Sequence, residues 1–259
     1  MRLIADIADA ATGSSAASQC TIGLLGGFEL RRDGVIVSLA PTLQRVVAFL
    51  ALQRRPVTRV YVAGTLWTDS DERHAHASLR SALWRVQHSG CHLVTATPTH
   101  LALAPAVDVD VRSVSRLICR LREGHAPPSR GEIDDLRDMA ELLPDWYDEW
   151  LEVERERVRQ LTLHSLEAVC RQLTRARRFS EAIDVGLSAV AAERLRESSH
   201  RALIEVHLAE GNLSEALRHY DSYRTLVATR LGARPSPEFR ALLADAFRGQ
   251  PTEHSRIYQ

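Results

Sequence analysis

Two stretches of this chain, 34 residues apart, begin alike: Ser180-Glu181-Ala182 within FSEAI and Ser214-Glu215-Ala216 within LSEAL. Each triplet follows a turn and opens a segment whose apolar residues recur at helical spacing. A lone helix hairpin cannot bury its apolar side, so such units stack and share a core, and 34 residues is the length of one helix–turn–helix unit in such arrays. Serine at a helix start offers a capping oxygen, and alanine two positions on lets a neighbouring helix come close. The periodicity predicts helices near 152–177, 180–193, 198–210, 214–231 and 236–248, with Pro235 and Pro237 marking the last boundary.

The preceding part reads differently. Residues 1–20 end in a small-residue run, ATGSSAASQC, and are expected to be a disordered leader. Thr21–Leu30 leads through Arg32-Asp33-Gly34 into VIVSL at 35–39, a β-hairpin signature. Pro41 then suits a first helical turn, and 42–53 places Leu43, Val46, Val47, Leu50 and Ala51 on one stripe. Pro56 ends that helix; a second is expected over 58–67 with Val60, Val62, Leu66 and Trp67, and a third over 72–88 after the break TDSD. HLVTAT at 92–97, Pro98-Thr99 and HLALA at 100–104 form another hairpin. A helix near 110–122 and a hinge-like loop, EGHAPPSRGE at 123–132, follow. The expected fold is an α/β winged helix-turn-helix domain over 21–104, then an all-α tetratricopeptide-like helical repeat domain over 105–250, with a flexible tail at 251–259.

Zero net charge argues against a nucleic-acid partner only until it is divided. Residues 21–104 carry nine Arg against five acids, a balance of +4, and 105–154 carry six Arg against thirteen, a balance of −7. All 33 basic residues are Arg, which bears the mark of codon pressure in a GC-rich genome; without lysine, a phosphate-loop nucleotide site and Schiff-base chemistry are excluded. Cys20, Cys91, Cys119 and Cys170 form no C-x-x-C pair and read as reduced thiols of a cytoplasmic protein, with neither structural zinc nor a disulfide framework. Acids at 6 and 9 interrupt the start, so no signal peptide is expected, and no apolar run reaches the ~18 residues of a membrane span.

The third helix carries the functional signal. Ala75, Leu79, Ala82, Leu83 and Val86 share one face, leaving Ala77, Ser81, Trp84 and His88 opposite, flanked by Arg73, His74, Arg80 and Arg85. Beyond Glu72 that outer face holds three Arg and no acid. Arginine's fork suits guanine edges or phosphates, and serine serves either. Candidate base or phosphate contacts are therefore Arg73, His74, Arg80, Ser81 and Arg85; candidate backbone contacts are Arg45, Arg54, Arg55 and Arg59. The hairpin at 92–104 would be the wing, with Thr95, Thr97, Thr99 and His100 reaching the flanking backbone or minor groove. Trp84 either stacks on a sugar or thymine methyl or packs beneath the wing.

LRSALWR at 79–85, FELRRDG at 28–34, PTLQRVVAFLAL at 41–52 and the Leu66-Trp67 pair resemble the winged-helix domain of the Streptomyces antibiotic regulatory protein (SARP) family. The stretch LLPDWYDEWLEVERERVRQLTLHSLE at 142–167 and the repeats after it resemble that family's bacterial transcriptional activation domain, so the likeness spans about 21–247. The resemblance implies an activator that binds direct repeats at promoter DNA, pairs head to tail on it and contacts RNA polymerase. Larger members add an ATPase domain; this chain resembles the small, stand-alone type.

Other clusters carry less. His74 and His76 lie about 200° apart on a helix, and His200 and His207 about 10 Å apart, too far for a shared ion. Asp145, Asp148, Glu149, Glu152 and Glu154 alternate with Arg155 and Arg157 as a solvated helix face, while Trp146, Tyr147 and Trp150 read as a core contact between the two domains. No nucleophile–base spacing survives, so neither an enzyme nor a cofactor is expected. The alternatives to a DNA-binding regulator are a repeat-type interaction adaptor and a ligand-sensing regulator with a weak DNA-binding head.

Overall fold

A computed structural model describes residues 19–123, 128–137, 139 and 141–248. Residues 1–18 of the expected leader, the expected tail and residues 124–127 of the expected hinge lie outside these. The chain divides into two compact units, one reaching Ser113 and including Glu141–Glu154, the other comprising Val114–Ala140 and the chain from Arg155.

The first unit opens with strands β1 (Cys20–Gly23), β2 (Glu29–Arg32) and β3 (Val35–Ile36). Cys20, assigned above to the leader, starts β1 and is buried, because the ladder to β2 extends back to a Cys20–Arg32 pair. Asp33 and Gly34 both take positive φ, 51° and 82°, the two-residue turn whose twist matches a hairpin. Helix α1 (Pro41–Leu52) starts on Pro41, and all five residues of its expected stripe are buried. Strand β4 (Val57–Thr58) leads into α2 (Arg59–Leu66), whose N-cap Thr58 accepts from the Tyr61 N–H. Helix α3 (Glu72–Gln87) is capped by Asp71, which accepts from the His74 N–H at 2.8 Å. Strands β5 (Val94–Ala96) and β6 (His100–Leu103) form the second hairpin, and β4 pairs with β6 to make it a three-stranded sheet.

A further strand, β7 (Asp108–Val109), runs parallel to β1 and completes a four-stranded sheet in the order β3-β2-β1-β7. Helix α4 (Asp110–Glu123) follows directly; the Asp110 carboxylate accepts from the Leu24 and Leu25 N–H groups at 2.8 and 2.9 Å. Arg112 caps the end of α1, donating to the carbonyls of Ala51 and Gln53 at 3.1 and 3.0 Å. Of the strands, β4 and β7 lie outside the hairpins expected from the sequence.

Residues 141–154 belong to the same unit. Leu142 bridges Leu25, the Leu143 N–H donates to the Leu24 carbonyl at 2.9 Å, and both leucines are buried. Trp146 stacks on Phe28 at 6.2 Å and Trp150 meets Phe49 edge-on at 5.1 Å. Trp146 and Trp150 thus make the expected core contact with the 21–104 segment, inside a compact unit that also includes Glu141–Glu154, whereas Tyr147 is 92% exposed. Asp148 departs from the expected solvated face, because its carboxylate accepts from Arg45.

The second unit is helical: the body of α4, α5 (Arg130–Arg137), α6 (Glu149–Arg175) after its first turns, α7 (Phe179–Ala192), α8 (Glu197–Glu210), α9 (Leu213–Leu231) and α10 (Pro237–Arg248). Residues 130–132, expected in the hinge, open α5, because Ser129 and Glu132 cap its start reciprocally. The remaining helices follow the expected periodicity to within three residues at each end. The serines of the repeated triplets occupy the second helical position rather than the cap; Asn212 caps α9 with its side chain, and Arg178 precedes α7. Ala182 and Ala216 are fully buried where helix packs on helix, α7 on α8 and α8 on α9. Gly211 and Gly232 end α8 and α9 in the left-handed conformation.

Candidate nucleic-acid interface

The outer face of α3 is built by what lies on its inner face. Ala75, Leu79, Ala82, Leu83 and Val86 are buried, so Arg73, His74, Ala77, Arg80, Ser81, Trp84, Arg85 and His88 are turned outward and exposed. Glu72, Arg73, His74, His76, Ala77 and Arg80 line an open depression at the helix start, where four basic or imidazole side chains surround one acid. The His74 ring pairs with the Asp71 carboxylate at 2.7 Å. That carboxylate is held below its ordinary range, first by the His74 backbone N–H and then by the ring.

Trp84 does not pack beneath the wing. Its side chain is 61% exposed, with its ring against the His88 ring at 4.2 Å between centroids, and His88 Nδ1 lies 2.7 Å from the Trp84 carbonyl oxygen. The spacing i to i+4 at the helix end places the two rings together. The stack holds the indole outward on the face that carries the arginines.

The wing tip is pinned rather than free. The Thr97 hydroxyl oxygen accepts from the His100 N–H at 2.9 Å, closing the turn, and Thr99 Oγ1 lies 2.9 Å from His100 Nδ1. Arg59 donates from Nε to the Thr97 carbonyl at 2.9 Å, while its own N–H donates to the Thr99 carbonyl at 2.9 Å. Thr97 and Arg59 therefore serve first to hold the wing against α2. Arg45 is further from the expected role: Nε and Nη2 donate to Asp148 Oδ1 at 2.9 and 2.5 Å, so its charge is already matched inside the unit. Arg54 and Arg55 are exposed in the turn between α1 and β4. The side-chain roles of Arg59, Asp110 and Arg112 depend on chain segments far away in sequence, and nothing in their local pattern marks them.

In the second unit Glu167 is a buried charge on α6. Its Oε1 accepts from Arg196 Nε at 2.7 Å and from the hydroxyls of Ser198 and Ser199 at 2.6 and 2.9 Å. His200 and His219 face one another at 2.9 Å between Nδ1 and Nε2, and the His200 ring lies 4.2 Å from that of Tyr223. These are packing networks within helix pairs. Among the described residues no group of three His, Cys, Asp or Glu is placed to hold a metal ion. No described helix is long and apolar enough to cross a membrane.

The sequence profile described as "Bacterial transcriptional activator domain" matches residues 134–245. No curated protein matches the chain. A solved structure of Mycobacterium tuberculosis EmbR, in complex with a low-affinity phosphopeptide, is similar in fold, with a TM-score of 0.74 and 24% sequence identity. The similarity covers 90% of this chain and 66% of the EmbR chain, so this chain spans just under two thirds of that structure's length. A winged helix with two small sheets around three helices is thus followed by a segment that matches the bacterial transcriptional activator domain.

Proposed function

We propose that this chain is a sequence-specific DNA-binding transcription regulator whose α3 enters the major groove. The observation that carries the reading is the outer face of α3: Arg73, Arg80, Arg85 and Ser81 are exposed together, no acid follows Glu72, and a buried apolar face holds the helix rigid. Arginine forks on such a helix can take guanine O6 and N7 or phosphate oxygens. The exposed Trp84 offers an apolar contact to a sugar or a thymine methyl, His74 lines the depression at the start of α3, and Thr99 at the wing tip serves the flanking backbone. Arg54 and Arg55 supply phosphate contacts; Arg45 does not.

The domain matched at 134–245 supports activation as the sign of regulation; RNA polymerase as the protein partner and a tandem pair of chains on direct repeats are carried by the family resemblance of the sequence. A salt-titrated mobility shift tests the DNA reading. Log affinity should fall steeply with log salt and should differ between duplex sequences. Absence of a shift at low salt contradicts it and favours an adaptor.

A further inference from the structure

The end of α3 carries a polar atom of a kind that its arginines do not supply. His88 caps the helix, and its backbone N–H donates to the Trp84 and Arg85 carbonyls. Its ring Nδ1 lies 2.7 Å from the same Trp84 carbonyl oxygen. A carbonyl oxygen only accepts, so Nδ1 holds the hydrogen, and in the neutral ring Nε2 keeps its lone pair. Nε2 lies across the imidazole from Nδ1, makes no hydrogen bond among the described residues, and belongs to an exposed side chain. The ring packs on the Trp84 indole at 4.2 Å between centroids, with 33° between the planes. Carbonyl and indole together fix how the imidazole is presented.

The pair is continuous with the arginine face. At 3.6 residues per turn, Arg73, Ala77, Arg80, Trp84 and His88 fall within about 80° of one another around α3, and all five are exposed. Arginine offers donors alone, whereas this end of the face offers an acceptor beside an apolar plate. In the major groove the amino groups of adenine and cytosine donate, and thymine alone carries a methyl group. A donor and a methyl on the same base pair is the pattern of A·T and not of G·C.

We propose that His88 is a base-reading residue: its Nε2 accepts from the 6-amino group of an adenine while the Trp84 indole covers the methyl of the thymine paired with it. The assignment rests on the reading that α3 enters the major groove, and adds to it a residue and the base pair that residue selects. It also fixes a register. Trp84 and His88 follow Arg80 by four and eight residues. A helix rises about 1.5 Å per residue and a duplex about 3.4 Å per base pair, so the A·T pair lies about two to four base pairs from the one that Arg80 reads.

The test selects bound duplexes from a random pool with the whole protein, as wild type and as His88→Phe. Phenylalanine keeps a ring against the indole and removes both nitrogens. The wild type should enrich an A·T pair at the stated register, and His88→Phe should lose about fivefold in preference there and nowhere else, with an unchanged salt slope. Replacing that adenine by purine, which lacks the 6-amino group, should weaken the wild type about fivefold and leave His88→Phe unaffected. Replacing the thymine by uracil, which lacks the methyl, should weaken the wild type and spare Trp84→Ala. The altered duplexes need only the wild-type protein, so a variant that fails to fold does not remove the test. Enrichment of G·C at that register, or wild-type indifference to purine, overturns the proposal. So does a His88→Phe variant with the same motif as the wild type, or with a salt slope lowered by about one, the mark of a phosphate contact. Indifference to uracil overturns the Trp84 contact. A wild type that enriches no sequence overturns the DNA reading, and the assignment with it.

Discussion

Arg45 on α1 and Asp148, 103 positions later, are joined by two hydrogen bonds from one guanidinium to one carboxylate oxygen, at 2.9 and 2.5 Å. The pair is only partly screened, with the Arg45 side chain 36% exposed and that of Asp148 16%. It sits beside the Phe49–Trp150 contact and helps fix residues 141–154 to the winged helix. A double-mutant cycle with Arg45→Ala and Asp148→Ala, read by denaturant unfolding, should give a coupling of about 1 kcal/mol. In DNA binding, Arg45→Ala should leave the salt slope unchanged, whereas Arg54→Ala and Arg55→Ala should each reduce it by about one.

Glu167 tests the helical unit. Burial pushes its carboxyl up, but the Arg196, Ser198 and Ser199 donors outweigh that and hold it below its ordinary value. Removing the carboxylate strands the Arg196 charge, whose side chain is 18% exposed. Glu167→Ala should cost about 2–4 kcal/mol in chemical unfolding, and Glu167→Gln, which keeps an acceptor, should cost less.

Acid should loosen the α8–α9 region. Burial, then the neighbouring His200 and His207, pushes His219 down to about 4; burial also lowers His200 and His207. An imidazole whose pKa is depressed on folding binds its proton more readily when unfolded. Stability is therefore full above the unfolded value of about 6.5 and is lost as pH falls toward about 4. His219 contributes on the order of 2–3 kcal/mol to that loss. Unfolding midpoints measured across this window should fall with pH, and His219→Phe should flatten the slope.

Two helical glycines should respond oppositely to alanine. At Gly186 a Cβ would stand 3.0 and 3.3 Å from Leu203 atoms and 3.4 Å from the Cys170 sulfur, in the packed contact of α7 with α8. Overpacking of about 1–3 kcal/mol outweighs the gain of about 1 kcal/mol in helix propensity, so Gly186→Ala should lower the melting temperature. At Gly64 on α2 nothing lies within 4 Å of the added Cβ, and Gly64→Ala should raise stability by about 0.5–1 kcal/mol.

What was legible in the sequence was local. The buried face of α3, the break that precedes it, the Asp33-Gly34 turn and the start of α1 at Pro41 all depend on residues within a turn or two of each other. Long-range closure left no such mark. β7 has two residues and pairs with a strand nearly ninety positions earlier, and Asp110 and Arg112 act on β1 and α1 through backbone groups that any sequence possesses. Arg45 and Arg80 look equally basic in sequence; only tertiary structure gives one a carboxylate and leaves the other on an exposed helix face. Trp84 lies outward against His88 rather than beneath the wing, a placement set by a ring contact within α3 and its end.

The central claim, that the exposed face of α3 reads base sequence, is tested most directly by selecting bound duplexes from a random pool with the wild-type chain and with Arg80→Ala. A common motif for the wild type is expected, with preference relaxed at one position and affinity lowered by about 1–3 kcal/mol in the variant. An enriched motif identical in the two proteins, at equal affinity, or no enrichment from the wild type, would contradict it.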